Sequence, residues 1–70
     1  MKRITVGQKV RKLREAKNLT QAALAKKAGI SPITLSRLEG DLNRPKISTL
    51  KCLAKVLRVR VIDLDPTAGY

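Results

Sequence analysis

Leu19-Thr20-Gln21-Ala22-Ala23-Leu24-Ala25-Lys26-Lys27-Ala28-Gly29-Ile30-Ser31-Pro32-Ile33-Thr34-Leu35-Ser36-Arg37-Leu38-Glu39-Gly40 contains two helix start signals and two stop signals in one short run. Thr20 is an N-cap candidate. Leu19 before it and Leu24 at N4 are the two members of a hydrophobic staple, while Ala23 stands where a capping box would carry an acid. That helix ends at Gly29. Ile30-Ser31-Pro32 repeats the start signal more strongly: Ser31 caps, Pro32 takes the N1 position that favours proline, and Ile30 staples to Leu35. The next helix reaches about Glu39 and stops at Gly40.

N-terminal to this run, Val6, Val10 and Leu13 lie at i, i+4 and i+7, with Lys9, Arg11 and Lys12 between them. This predicts an amphipathic helix over about residues 5–17, ended by Asn18, which tolerates the left-handed conformation of a helix C-terminus. On the other side, Asp41-Leu42-Asn43-Arg44-Pro45 reads as a loop. Ser48 is the expected cap of a fourth helix, with Leu50, Leu53, Ala54 and Leu57 on one face. A shorter helical turn around Val61 to Leu64 precedes Pro66. The predicted fold is all-α, a compact bundle of four to five short helices containing a helix-turn-helix. It forms one domain over residues 1–65, with 66–70 a short C-terminal tail. Two short helices joined through Ala28-Gly29-Ile30 match a helix-turn-helix, a pattern that any αα-hairpin shares.

Composition narrows the function. A chain of 70 residues with 16 Lys+Arg, 5 Asp+Glu and no His has a formal net charge of +11. A domain this small buries only about 60% of its unfolded surface, which leaves little room for a catalytic cleft. One cysteine (Cys52) and no histidine exclude an internal disulfide, a Cys/His zinc site and Ser-His or Cys-His catalysis. The sequence therefore predicts no enzyme, no cofactor, no metal and no small-molecule substrate. Cys52 is expected at the rim of the core. The only aromatic residue is Tyr70, so stacking of bases on aromatic rings is not available. MKRITVGQKV has no apolar core of a signal peptide, and no run approaches the ~20 apolar residues of a membrane span, so the expected compartment is the cytoplasm. The charge points to a polyanion. It is uneven: residues 1–27 carry nine Lys/Arg against one acid, whereas 28–46 carry three against two.

The third helix makes the polyanion specific. At about 100° per residue, Leu35 and Leu38 define its inner side, Ile33, Ser36, Arg37 and Gly40 the opposite one, and Thr34 a flank. An apolar group, hydroxyls and a guanidinium are the mixture that reads base edges. Arginine pairs with guanine O6/N7, a methyl surface meets a thymine methyl, and Ser or Thr takes a base or a phosphate.

The run Leu19-Thr20-Gln21-x-x-Leu24-Ala25-x-x-Ala28-Gly29-Ile30-Ser31 resembles the lambda-repressor/Cro-like (XRE) helix-turn-helix family of DNA-binding domains. So does its continuation Leu35-Ser36-Arg37-Leu38-Glu39, then Pro45, Leu50, Ala54 and Leu57. The resemblance covers about residues 6–65. It implies a five-helix domain whose third helix enters the major groove. Ile33, Thr34, Ser36 and Arg37 are then expected to read or flank bases. Gln21, Ser31, Asn43, Arg44 and Lys46 are expected on phosphates, with Gln21 also bracing the recognition helix. Arg14 and Glu39 hold positions where relatives often pair helix 1 with the end of helix 3, a structural ion pair. The sequence departs from the family at Pro32, which has no donor, and at Gly40-Asp41, which reverses the usual placement of glycine. Arg58 replaces a glycine cap, and Asp65 an apolar residue.

The expected function is a sequence-specific double-stranded DNA-binding transcriptional regulator, a phage or bacterial repressor on a palindromic operator. Homodimerisation supplies the specificity, as a weak dimer strengthened on DNA, with Val59, Val61, Ile62 and Leu64 as apolar candidates for pairing. The alternatives are an antitoxin-type interaction protein that autoregulates its operon, and a restriction–modification controller protein. A non-specific architectural binder driven by charge alone is a further reading.

Overall fold

The computed structural model describes residues 5–42 and 44–65; Asn43 and the tail 66–70 lie outside the described residues. Five helices follow one another: α1 Val6–Ala16, α2 Gln21–Ala28, α3 Pro32–Glu39, α4 Ile47–Leu57 and α5 Val61–Leu64. Among the described residues there is no strand. No helix there is long and apolar enough to cross a membrane.

Side-chain caps start α1, α2 and α3. Thr5 opens α1 with a full capping box: its Oγ1 accepts from Gln8 N at 3.1 Å, and Gln8 Oε1 accepts from Thr5 N at 3.2 Å. The apolar spacing that predicts α1 does not use this Thr-x-x-Gln signature. Thr20 Oγ1 accepts from Ala23 N at 3.0 Å, and Ser31 Oγ from Ile33 N at 3.2 Å. α4 departs from the sequence expectation. It begins at Ile47 after Lys46, with no side-chain cap, so Ser48 is already inside the helix. The first helical bond runs from Leu50 N to Lys46 O, and the burial of Leu50, Leu53, Ala54 and Leu57 sets the boundary in place of a hydroxyl.

Four helices stop by one device built from four different residues. Asn18, Gly29, Asp41 and Arg58 all take the left-handed conformation, with φ of 56°, 72°, 57° and 58°. The next N–H then reaches back along the helix: Leu19 to Arg14 O at 3.1 Å, Ile30 to Ala25 O at 3.0 Å, Leu42 to Arg37 O at 2.9 Å, and Val59 to Ala54 O at 3.0 Å. These are Schellman closures. After α3 the left-handed residue is Asp41, with Gly40 at φ −86°. A short polar side chain tolerates this conformation, and Thr5 Oγ1 donates to Asp41 Oδ2 at 2.8 Å, tying the start of α1 to the end of α3. Arg58 has no such compensation, and its left-handed backbone costs about 1–2 kcal/mol. Arg58→Gly should therefore stabilise the domain by about 0.5–1 kcal/mol, after glycine's greater freedom in the unfolded chain is subtracted. A rise in the urea midpoint at unchanged slope is the expected reading.

The core is aliphatic, as an inventory without Phe or Trp requires. Val10, Leu24, Leu35, Leu50, Leu53, Leu57 and Leu64 are fully buried. Leu64 thus belongs to the core and is lost as a pairing residue; Val59 and Val61 also pack on the core, and Ile62 is the exposed member of the set. Cys52 is exposed, not at the core rim, because it sits a helical step away from the Leu53 face. α2 packs on α4, and both α1 and α2 pack on α3.

Gly7 makes the α1–α3 contact possible. A Cβ there would run into the carbonyl oxygen of Leu38 and lie 2.7 Å from Asp41 Oδ1 and 3.0 Å from Glu39 O. The obstacle is largely backbone, so one helix must move. Gly7→Ala should cost about 1–3 kcal/mol, as overpacking does, despite alanine's better helix propensity. Thermal unfolding followed by circular dichroism tests this; an unchanged midpoint would show that α1 is free to shift.

Candidate nucleic-acid interface

α3 is built to hold one face outward. Ser31 and Pro32 fix its first turn, and Leu35 and Leu38 bury its inner side. Ile33, Thr34, Ser36 and Arg37 are consequently all exposed. Ile33 is 64% exposed, so it is not tucked under the neighbouring loop.

The far end of α3 is held by a buried carboxylate. Arg14 Nε donates to Glu39 Oε2 at 2.8 Å and Nη2 to Oε1 at 3.1 Å, a bidentate pair. Arg14 Nη1 donates to Leu19 O at 2.7 Å, and Gln21 Nε2 donates to Glu39 Oε1 at 3.1 Å. The side chains of Arg14 and Glu39 are only 11% and 3% exposed. Glu39 thereby joins α1 and the first residue of α2 to the last turn of α3, and Arg14 adds the α1–α2 turn. Among the described residues, no buried side-chain nitrogen or oxygen lacks a hydrogen-bond partner. The hydrogen bond to Glu39 raises the pKa of Arg14 above the ordinary guanidinium value, outweighing the opposing effect of burial. A raised folded pKa confers stability that is fully present below the unfolded value and is lost only as pH rises through the folded one. The titration of Arg14 therefore adds no pH dependence until strongly alkaline conditions.

Beside α3 lies a cleft of about 550 Å³, lined by Ile30, Ser31, Thr34, Leu38, Arg44, Pro45, Lys46 and Thr49. It gathers three hydroxyls and two cationic side chains between α3 and the start of α4, which has no side-chain cap. Uncapped N–H groups and fixed positive charge favour an anion. The structure therefore groups the candidate residues in three sets. Ile33, Ser36 and Arg37 stand on the open face of α3. Ser31, Thr34, Arg44 and Lys46 line the cleft. Arg14, Gln21 and Glu39 form the buried brace. Asn43 lies outside the described residues. Thr49 is a cleft residue the sequence reading missed; starting α4 at Ile47 would have placed it in the first turn. Lys27, Lys55 and Arg58 share none of this cleft and line a separate depression with Cys52. Among the described residues, no cluster of His, Cys, Asp or Glu is suited to holding a metal ion.

A family model described as Helix-turn-helix matches residues 10–64. RghRB, an uncharacterized HTH-type transcriptional regulator of Bacillus subtilis strain 168, is 45% identical over 65 residues, covering 91% of this chain and 47% of RghRB. The immunity repressor protein of Bacillus phage phi105 is 40% identical over 58 residues, covering 83% of this chain and 40% of the repressor. The chain thus spans at most about half the length of these curated relatives. Among solved structures, the biofilm master regulator SinR, a Bacillus subtilis protein, in complex with DNA has a TM-score of 0.83 at 34% identity, over 86% of this chain and 97% of that one. The capped second and third helices, the outward face of α3 and the match across residues 10–64 agree: the chain belongs to the lambda-repressor/Cro-like helix-turn-helix family.

Proposed function

We propose that this chain is a sequence-specific double-stranded DNA-binding transcriptional regulator, a repressor that binds a palindromic operator as a homodimer with α3 in the major groove. The observation that carries this reading is the outward face of α3, held rigid at one end by Ser31 and Pro32 and at the other by the Arg14–Glu39–Gln21 network. Ile33, Thr34, Ser36 and Arg37 read or flank bases. Ser31, Asn43, Arg44 and Lys46 take phosphates, and Gln21 adds a phosphate contact to its bracing role. Residues 1–65 act as one domain. The likeness to SinR, whose solved structure is a DNA complex, supports the choice of partner. The chain performs no catalysis, needs no cofactor and works in the cytoplasm. Of the pairing candidates Val59, Val61, Ile62 and Leu64, Ile62, 42% exposed, is the one left on the surface, so the dimer is weak alone and strengthened on DNA.

Competition binding at several salt concentrations tests the reading. If about six phosphates are neutralised, log K falls with log salt at a slope of about −5, and operator preference over random DNA stays at ~10³-fold or more. Equal affinity for every sequence would leave only a charge-driven binder. Within that experiment, Arg37→Ala should cost about 1–3 kcal/mol on the operator and relax one base pair, whereas Arg44→Ala should weaken all sequences alike and flatten the salt slope. Identical behaviour of the two variants would make Arg37 a phosphate contact.

A further inference from the structure

Leu42 is 75% exposed, more than Ile33, Ile47 or Ile62. A lone exposed leucine requires no explanation; this one has an unusual position. It follows the left-handed Asp41 as Leu19, Ile30 and Val59 follow Asn18, Gly29 and Arg58, and those three pack against the core. Leu42 alone faces outward. Its backbone is nevertheless fixed: its N–H donates to Arg37 O at 2.9 Å, and Asp41 before it is held by Leu38 O at 3.1 Å and by the Thr5 hydroxyl. Its side chain returns toward α3, since a Cβ placed on Gly40 would lie 3.7 Å from Leu42 Cγ. Gly40 ends the outward stripe that begins with Ile33 and contains Ser36 and Arg37, so Leu42 extends that face beyond the helix.

We infer that Leu42 is a second apolar specificity residue, one that contacts a thymine methyl group in the major groove. The inference rests on the DNA-binding reading above. The major groove presents donors and acceptors at every base, and thymine adds the only methyl group. A leucine offers no partner to the amine of cytosine or the acceptors of guanine, so contact with those edges leaves them desolvated and unpaired. Ile33 and Gly40 are seven residues apart, about 10 Å along the helix at ~1.5 Å per residue. That span corresponds to about three base steps at ~3.4 Å each. The two methyl contacts are accordingly expected about three positions apart in each half-site.

The test begins with duplexes selected by the wild-type protein from a random library. Each thymine of the selected half-site is then replaced in turn by deoxyuridine, which removes the methyl alone. Binding is measured for wild type, Ile33→Ala and Leu42→Ala, with circular dichroism verifying the fold of each. At one position, loss of the methyl should weaken wild-type binding about threefold to tenfold. Leu42→Ala should weaken it similarly, and the two changes together should cost no more than either alone. That position should differ from the one coupled to Ile33. A motif in which no methyl is coupled to Leu42, or a Leu42→Ala variant with wild-type affinity, overturns this inference and leaves the regulator reading standing. A library that yields no motif overturns both.

Discussion

Glu39→Ala should remove about 3–5 kcal/mol of folding stability, the usual cost of stripping one partner from a buried ion pair. The variant leaves the Arg14 guanidinium, 11% exposed, without its counter-charge, and leaves the Gln21 amide without its acceptor. A domain of this size has only about 4–10 kcal/mol to lose, so the variant should sit close to its unfolding midpoint at room temperature. Urea unfolding is the measurement. A loss below about 1 kcal/mol would place the pair in the class of surface bridges, contrary to its burial. A second variant separates stability from positioning. Arg14→Met combined with Glu39→Leu should recover much of the lost stability, because apolar replacements of a buried pair are often neutral or better. It should still bind the operator less selectively, since the end of α3 then keeps the Thr5–Asp41 hydrogen bond but loses those from Arg14 and Gln21. Full selectivity in the recovered variant would reduce the network to a purely structural role.

Leu35→Ala should cost about 2–5 kcal/mol, through lost burial and the cavity left behind α3. Leu35 is fully buried and lies on the inner side of the same helix that turns Ile33 to solvent. Ile33→Ala offers the contrast. At 64% exposure it should change stability by less than about 0.5 kcal/mol, as surface substitutions do, while lowering operator affinity. The two residues are neighbours on α3, so their opposite profiles would separate the packing face from the reading face. Equal stability losses would mean that Ile33 packs beside the cleft and that the outward face of α3 excludes it.

Much of this architecture is legible in the sequence because helix starts are local chemistry. Thr20 and Ser31-Pro32 announce α2 and α3 through side chains that bond within three residues of themselves. Features that depend on distant partners are not legible in that way. Ser48 is a plausible cap by type, but the packing of Leu50 and Leu53 draws the start of α4 back to Ile47. Arg58 adopts a left-handed backbone because the chain must turn there, which its own preference does not show. Gly7 is small because Leu38 O lies opposite it, a fact about α3 rather than α1. Leu64 looked available for pairing and proved to be core once α5 folded back. The brace was legible only by resemblance, at Arg14, Gln21 and Glu39; that Gln21 reaches Glu39 itself depends on where α2 sits. Charge reads differently as well. Of the +11 total, Arg37 stands on the open face of α3, and Arg44 and Lys46 line the cleft; the surplus of the first 27 residues is expected to attract a polyanion without choosing a sequence.

Selection of bound duplexes from a random library measures whether α3 chooses a sequence. One enriched motif is expected, with two-fold symmetry and half-sites one helical turn, about 34 Å, apart. Arg37→Ala should lose one base pair of that motif. Recovery of unenriched sequence, with every duplex bound alike, would contradict sequence-specific regulation.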